Sequence, residues 1–290
     1  MTFNEARTVL TKELTNLYDN EELKNIVDLV LEHITNMSRM EQLKSKLAYL
    51  TCTQLETIDT ITERLKRNEP VQYVLGEAWF AGMKFKVNKN VLIPRPETEE
   101  LVDWVVNEIQ KSKVKSQNIL DVGTGSGCIP ITIKKKLSFV DINAIDVCSE
   151  ALFTATENAI EHNVEIDFIL LDFLDEEKWN QLEQFDIIVS NPPYVKQSET
   201  QTMHDRVINF EPRLALFVPD DDAFLFYRKL SDFSLKHLKP GGNLFVEVNE
   251  ALGDKVVNLF RSAGFTEIEL RKDMQGKDRM LRASVQINSL

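Results

Sequence analysis

The sequence predicts an α/β protein whose main domain has a mostly parallel sheet with helices on both faces, preceded by a smaller helical domain. From residue 118 onward, short apolar runs of strand length alternate with helix-length stretches, as in sheets whose parallel strands are joined by helices. Residues 1–70 have a different composition, since they contain no glycine and only one proline, Pro70. A chain of 290 residues has room for both parts.

Helix-start signals and helical periodicity mark residues 1–70. In a capping box, a Ser or Thr hydroxyl accepts from a first-turn amide while a Glu three residues later reaches back. The pattern occurs at Thr2 with Glu5, Ser38 with Glu41, and Thr53 with Glu56. Apolar residues recur at helical spacing behind these signals, and the predicted helices lie near 3–17, 21–36, 40–49 and 53–67. This region is either a helical cap on the larger domain or a partner-recognition module, and its composition does not choose between the two.

Residues 71–96 are predicted to form a connecting segment. Trp79 to Val91 is rich in aromatic and β-branched residues around Gly82, which indicates a hairpin. The following Leu92-Ile-Pro-Arg-Pro96 must be extended, because each residue before a proline is pushed out of the helical region. A helix then begins at about Glu97, and it carries an apolar face.

The main domain, predicted to span 97–290, contains six apolar runs of strand length. They lie at 118–122, 139–145, 166–171, 185–190, 243–248 and 280–286. Sheets of this kind bind their ligands in the crevice beyond the carboxyl ends of the strands. Unusual residues directly after these runs are therefore candidates for a binding site.

Composition limits the partners and the location of the protein. The net charge of −12 and the pI of about 5.0 make nucleic acid a poor direct partner, because an acidic surface repels phosphates. No apolar run approaches the roughly 18 residues of a membrane span, and the first residues lack a basic-then-apolar signal region. Cysteine and histidine spacings match no zinc site, so we expect no metal. We expect a cytoplasmic monomer that binds no membrane.

A glycine-rich loop, Gly123-Thr124-Gly125-Ser126-Gly127, follows the first strand. Alternate glycines let the chain turn tightly and let a ligand approach the backbone. The G-x-G-x-G spacing is not that of a dinucleotide site, and the Lys of a Walker loop is absent, so the loop alone is also compatible with a simple tight turn. Asp146, 19 residues beyond Gly127, ends the second strand, where an acidic residue commonly binds ribose hydroxyls. Together the two features indicate a nucleoside ligand.

The fourth strand runs into Asn191-Pro192-Pro193-Tyr194. Two prolines restrict the backbone, so that Asn191 and the Pro192 carbonyl are held in fixed directions. The Asn191 side-chain oxygen and the Pro192 carbonyl provide two acceptors suited to a planar –NH2 group, and Tyr194 can stack on a flat π-system. A turn with a purely structural role would more often contain Gly or Asp. The segment therefore indicates catalysis on an amide or amino nitrogen.

At this point the chain resembles the HemK family of protein-(glutamine-N5) methyltransferases, which use S-adenosylmethionine to modify class 1 peptide release factors. Asn-Pro-Pro-Tyr after a G-x-G-x-G loop carries part of the resemblance. Five further segments extend it over the chain from residue 70: Pro70-Val-Gln-Tyr73-Val-Leu-Gly76, Leu92-Ile-Pro-Arg-Pro-Glu-Thr-Glu99, Glu211-Pro-Arg-Leu-Ala-Leu216, Leu238-Lys-Pro-Gly-Gly242 and Lys272-Asp-Met-Gln-Gly-Lys-Asp-Arg279.

The resemblance implies a Rossmann-like seven-stranded methyltransferase domain and a role for each motif. Gly123 to Gly127 would cradle S-adenosylmethionine, with S-adenosylhomocysteine as the product, and Asp146 would bind its ribose. Phe173 would pack beside the adenine, although many relatives have Trp there. Asn191, which also borders the cofactor, would act with Pro192 and Tyr194 in catalysis and with Pro193 in holding the target glutamine of a Gly-Gly-Gln loop. Residues 1–70 would be the substrate-recognition domain.

Three other functions compete with release-factor methylation. Glutamine methylation of a ribosomal protein would use the same catalytic motif, but the chain length and the helical region favour the release factor. Adenine-N6 methylation of DNA also uses Asn-Pro-Pro-Tyr, but it would need a basic surface and a target-recognition domain, and residues 71–290 carry 25 basic against 34 acidic residues. A non-catalytic binding module is disfavoured by the intact Asn191 and glycine loop.

Overall fold

The computed structural model describes residues 1–45, 48–112 and 117–286, and within them it has two compact units. One unit contains residues 1–77 together with 204–210, and the other contains 78–203 with 211–290. The helices are α1 (Phe3–Leu14), α2 (Asn20–Thr35), α3 (Arg39–Lys44), α4 (Cys52–Lys66), α5 (Val71–Leu75), α6 (Pro96–Lys111), α7 (Cys128–Lys136), α8 (Ser149–Glu161), α9 (Asp205–Phe210), α10 (Arg213–Leu216), α11 (Leu225–His237) and α12 (Gly253–Ala263). The strands are β1 (Glu77–Phe80), β2 (Met83–Lys86), β3 (Asn118–Val122), β4 (Asp141–Asp146), β5 (Asp167–Leu170), β6 (Phe185–Ser190), β7 (Val195–Lys196), β8 (Phe217–Val218), β9 (Leu238–Glu247), β10 (Thr266–Lys272) and β11 (Asp278–Ser284).

Two of the three predicted capping boxes are present in the helical unit. Thr2 with Glu5 and Ser38 with Glu41 begin α1 and α3. The third prediction, Thr53 with Glu56, is wrong, because α4 is capped two residues earlier by a reciprocal pair of Thr51 and Gln54. Both spacings fit the sequence pattern, and the chain uses the one whose second residue is Gln. The predicted helix 40–49 ends at Lys44, and its residues 46–47 lie outside the described residues.

The helical unit has its own apolar core, and α9 belongs to it although it lies far along the chain. Buried side chains of α1, α2, α4 and α5 form this core. Arg206 of α9 pairs with Glu22, donates to Asn68 Oδ1 at 2.6 Å, and lies 4.3 Å from the centre of the Tyr18 ring. The segment 204–210 is therefore tied to the helical unit by charge and ring contacts that no local sequence pattern indicates.

The segment 71–96 begins with the helix α5, which the sequence did not predict, and a hairpin follows it. β1 and β2 pair across the turn residues Ala81 and Gly82, which both have positive φ (49° and 75°). A turn of this kind matches the right-handed twist of its strands. Pro96 then occupies the first position of α6, where its missing N–H costs nothing, and the predicted apolar face of α6 is buried.

Seven strands form the main sheet, in the order β10-β11-β9-β6-β3-β4-β5. The five from β9 to β5 are parallel, and β11 runs antiparallel to both of its neighbours. The predicted α/β class with a seven-stranded, mostly parallel sheet is thus confirmed. All six predicted apolar runs overlap strands, and 118–122 and 185–190 coincide with β3 and β6. The seventh strand, β10, lay outside the apolar runs because charged residues interrupt it, as is common at a sheet edge.

Alternate residues of the central strands pack into two separate apolar cores on the two faces of the sheet. Ile119 of β3 and Ile187 of β6 face the core that includes α6 and α7. Leu120 and Ile188, their neighbours along the chain, face the core that includes α11 and α12. The order of connection reverses between β3 and β6, which makes their carboxyl ends the expected crevice for a ligand. In the described part of the chain, the helices are too short or too polar to cross a membrane.

Candidate active site

Strand register brings the carboxyl ends of four strands to one edge of the sheet. Val122 of β3 pairs with Ser190 of β6 on one side and with Ile145 of β4 on the other, and Ser190 pairs with Val246 of β9. The residues that follow these pairs are therefore neighbours: the glycine loop, Asn191, Asp146 and Glu247. Three of these four features, the glycine loop, Asp146 and Asn191, are candidate site residues of the sequence analysis.

The glycine loop turns directly from β3 into α7. The amides of Gly123 and Thr124 both donate to the Ile145 carbonyl, at 2.9 and 3.0 Å, which fixes the loop against β4. Gly123 has φ of +77°, and a Cβ placed on it would meet no atom within 4 Å, so its outer side borders open space. Gly127 has φ of +78°, but a Cβ there would lie 3.0 Å from Ile131 Cδ1 and 3.1 Å from Ala155 Cβ. The first glycine thus leaves room for a ligand, and the last lets α7 and α8 pack closely.

Asp146 is held against this loop by two backbone amides. Its Oδ2 accepts from Gly125 N and its Oδ1 from Cys148 N, both at 2.9 Å. Burial raises the pKa of the Asp146 carboxyl, and the amide donors of Cys148 and Gly125 oppose that rise. Each carboxylate oxygen has a second lone pair beyond these bonds, which suits a donor such as a hydroxyl.

Asp121, the fourth residue of β3, is a buried acid that the sequence analysis missed. Its side chain is fully buried, and neither oxygen accepts a hydrogen bond of normal geometry from any described residue. Burial raises the pKa of Asp121 to about 7, a rise that the nearby Thr124 hydroxyl opposes and Asp146 reinforces. The hydroxyls of Thr124 and Ser126 are also buried without a hydrogen-bond partner of normal geometry in the described residues. Unsatisfied buried acceptors beside an open loop are what a cationic, hydroxyl-bearing ligand would satisfy.

Phe173 lies after β5 in a cluster of aromatic rings. Its ring stacks on Trp179 at 5.6 Å and meets Phe233 edge-on at 5.4 Å, and its carbonyl accepts from Trp179 Nε1 at 2.9 Å. The side chain is 6% exposed, so most of its surface is committed to this cluster. Phe173 is therefore held in place by its ring contacts, near the carboxyl end of β5.

Asn191 takes part in a short chain of hydrogen bonds that leads to a buried carboxylate. Its Nδ2 donates to Thr98 Oγ1 at 3.1 Å, and the Thr98 hydroxyl donates to Glu247 Oε2 at 2.7 Å. The other oxygen of Glu247 accepts from the Tyr194 hydroxyl at 3.1 Å. Pro192 is buried between the two polar residues of the motif, and Pro193 is partly exposed. The motif is thus tied at both ends to one carboxylate.

Glu247 is the anchor of this chain and is 2% exposed. Burial raises the pKa of its carboxyl, while the Thr98 and Tyr194 hydroxyls and the positive charge of Arg279 oppose the rise. Burial also raises the pKa of Tyr194, with Glu247 adding to the effect, so the phenol stays protonated and donates. Thr98 and Glu247 lie 93 and 56 residues from Asn191 along the chain, so no local motif could reveal this connection.

No set of three His, Cys, Asp or Glu residues is placed to hold a metal ion within residues 1–45, 48–112 and 117–286.

Comparison with known proteins finds two family models and several relatives that match this chain. Residues 5–76 match the family described as PrmC N-terminal domain, and residues 101–213 match the Methyltransferase small domain. The release factor glutamine methyltransferase of Flavobacterium psychrophilum is 42% identical over 98% of this chain and 99% of its own length. The protein of the same description from Bacteroides thetaiotaomicron is 37% identical over 97% of this chain and 99% of its own length.

A solved structure, the hMettl16 catalytic domain in complex with MAT2A 3′UTR hairpin 6, shares the fold of this chain. It aligns with a TM-score of 0.55 at 15% identity, and the alignment covers 85% of this chain and 86% of that one. At this identity the likeness concerns the fold alone, and it agrees with the seven-stranded sheet described above.

Proposed function

Because this chain belongs to the release factor glutamine methyltransferase family, we propose that it methylates the side-chain amide nitrogen of the glutamine in the Gly-Gly-Gln motif of class 1 peptide release factors, with S-adenosylmethionine as methyl donor. The observation that carries the proposal is the identity of 42% over 98% of the chain. The site supports it, since Asn191 and the glycine loop meet at one sheet edge.

The residues around the glycine loop fit the proposed methyl donor. Gly123 to Gly127 would lie along it, and Asp146 would accept from the ribose hydroxyls. The buried carboxylate of Asp121, which lacks a regular hydrogen-bond partner in the described residues, would face its positively charged part, and this interaction favours the ionised carboxyl. When bound, S-adenosylmethionine supplies an electrophilic methyl group on a sulfonium and leaves as S-adenosylhomocysteine.

Asn191 and Pro192 would hold the glutamine amide. A glutamine nitrogen is a poor nucleophile because its lone pair is delocalised into the carbonyl group. Two acceptors, Asn191 Oδ1 and the Pro192 carbonyl, would take its two N–H bonds and turn the lone pair toward the methyl group. The same acceptors stabilise the positive charge that develops on nitrogen as the N–C bond forms and the S–C electron pair remains on sulfur.

Proton release comes after methyl transfer in this mechanism. The amide N–H becomes strongly acidic only when nitrogen carries the new methyl group and a positive charge, so a strong base is not needed before transfer. Glu247 accepts a hydrogen bond from a hydroxyl group on each of its two oxygens. Its role is therefore to position these residues rather than to take up the proton of the amide. The proton would then leave to solvent, which is consistent with the partial exposure of Asn191 and Tyr194.

Tyr194 and Pro193 would form the walls of the glutamine site, and Phe173 would border the adenine through its rigid cluster. Residues 1–70 would recognise the release factor. Glutamine methylation of a ribosomal protein is a weaker alternative, because both relatives described above are release factor enzymes.

Mass spectrometry of a release factor after incubation with this protein and S-adenosylmethionine tests the proposed function. We expect one added methyl group on the glutamine of Gly-Gly-Gln. Modification of a ribosomal protein instead, under the same conditions, would favour the alternative substrate.

A further inference from the structure

The orientation of the Asn191 amide decides whether the site can hold a substrate amide. The side chain of asparagine carries an oxygen on one branch and an NH2 group on the other, and only the oxygen can accept a substrate N–H. The two branches are nearly equal in size, so packing alone discriminates poorly between the two orientations. A hydrogen-bond partner of fixed polarity can choose between them.

The partner of Asn191 has its polarity fixed by Glu247. Both oxygens of Glu247 accept hydrogen bonds, one from the Thr98 hydroxyl and the other from the Tyr194 hydroxyl. A threonine hydroxyl has a single proton, and Thr98 gives it to Glu247 at 2.7 Å. Toward Asn191 the Thr98 oxygen can then only accept, and it does so from Nδ2 at 3.1 Å. The oxygen of Asn191 must lie on the opposite branch.

We propose that Thr98 is a positioning residue for methyl transfer, which sets the orientation of the Asn191 amide so that Oδ1 is free to accept the glutamine N–H. This inference rests on the proposed function. It assigns a role to the Thr in Arg95-Pro-Glu-Thr98, the segment in which α6 begins. Thr98 is 2% exposed, so its hydroxyl is reserved for these two partners and does not reach a substrate.

A matched pair of substitutions separates the hydroxyl from the packing of Thr98. Thr98→Val keeps the shape and removes both hydrogen bonds, and Thr98→Ser keeps the hydroxyl and removes a methyl group. We expect Thr98→Val to lower kcat about 10- to 100-fold, the range seen when the outer partners of a metal ligand are removed. The KM for the release factor and the Kd of S-adenosylmethionine should change less than about twofold. Thr98→Ser should keep kcat within about threefold of wild type.

Thr132→Val is the control for the substitution itself. Thr132 is fully buried in α7, and its hydroxyl lacks a partner in the described residues, so the same change there should leave kcat as in wild type. If Thr98→Val does not bind the cofactor or lacks the circular dichroism of the folded protein, Thr98→Ala replaces it in every comparison with the same expected results.

A double-mutant cycle with Asn191→Ala tests whether Thr98 acts through Asn191. In single-turnover transfer of labelled methyl, the Thr98 substitution should slow wild type but change Asn191→Ala by less than about threefold, because the side chain that it orients is gone. Near-normal kcat in Thr98→Val, equal losses in Thr98→Val and Thr98→Ser, or a full further loss in the Asn191→Ala background would each overturn the inference. Absence of glutamine methylation by wild type would instead overturn the proposed function.

Discussion

Gly123 and Gly127 have nearly the same backbone conformation but different surroundings, and this difference predicts unequal effects of alanine on stability and on cofactor binding. Both have positive φ, +77° and +78°, so an alanine at either position costs about 1–2 kcal/mol of folding free energy. At Gly127 the new methyl would also meet Ile131 Cδ1 at 3.0 Å and Ala155 Cβ at 3.1 Å. Overpacking of this kind costs a further ~1–3 kcal/mol. We therefore expect Gly127→Ala to lose about 2–5 kcal/mol and Gly123→Ala only about 1–2 kcal/mol.

For cofactor affinity we expect the reverse ranking, with the larger effect at Gly123. A methyl group on Gly123 would enter the open space beside the loop, so Gly123→Ala should weaken S-adenosylmethionine binding about tenfold or more, which corresponds to about 1.4 kcal/mol. Urea unfolding measures the stabilities, and isothermal titration of each folded variant measures the affinities. Equal destabilisation by the two substitutions, or wild-type affinity in Gly123→Ala, would refute the view that one glycine serves packing and the other serves the ligand.

Three further substitutions address single residues of the site. Burial raises the pKa of Asp121 to about 7 from 3.8, so the contribution of this carboxyl to stability is full below pH 3.8 and is lost as pH rises through about 7. In urea unfolding without cofactor, Asp121→Asn should therefore gain stability relative to wild type between pH 4 and pH 8, on the order of 4 kcal/mol at most. A difference in stability that stays constant with pH would contradict the raised pKa. Asp146→Ala should weaken S-adenosylmethionine binding by about 1–3 kcal/mol in a calorimetric titration, because the ribose hydroxyls would lose their acceptor. An unchanged affinity would show that Asp146 does not bind the cofactor. Asn191→Ala should leave that affinity nearly unchanged but lower the single-turnover rate about 10²- to 10³-fold, as for a lost preorganised partner, and near-normal transfer would make the motif structural.

Local patterns in the sequence were sufficient to predict most of the sheet and three parts of the site. β3 and β6 are continuous apolar runs because they are central parallel strands buried on both faces, and such runs have sharp ends. Since the carboxyl ends of parallel strands share an edge, the glycine loop, Asp146 and Asn191 could be expected to converge. The roles assigned to these residues stay predictions until they are tested by substitution.

The features that sequence reasoning missed depend on contacts between distant segments. β10 was missed because an edge strand with alternating charges lacks an apolar run. Asp121 carried a signal, an acid within the otherwise apolar run Asn-Ile-Leu-Asp-Val, but its meaning depends on full burial that only the packed sheet establishes. Thr98 and Glu247 meet across 149 residues of chain, and their hydrogen bond exists because α6 begins where β9 ends, at the sheet edge that carries Asn191.

We propose that this chain methylates the glutamine amide of a release factor through Asn191. The most direct test incubates wild type and Asn191→Ala in parallel with a release factor and S-adenosylmethionine, and maps modified residues by peptide mass spectrometry. We predict one methyl group on the side-chain nitrogen of the Gly-Gly-Gln glutamine with wild type, and almost none with Asn191→Ala over the same time. An unmodified glutamine with wild type, or equal modification by the two proteins, would contradict the account.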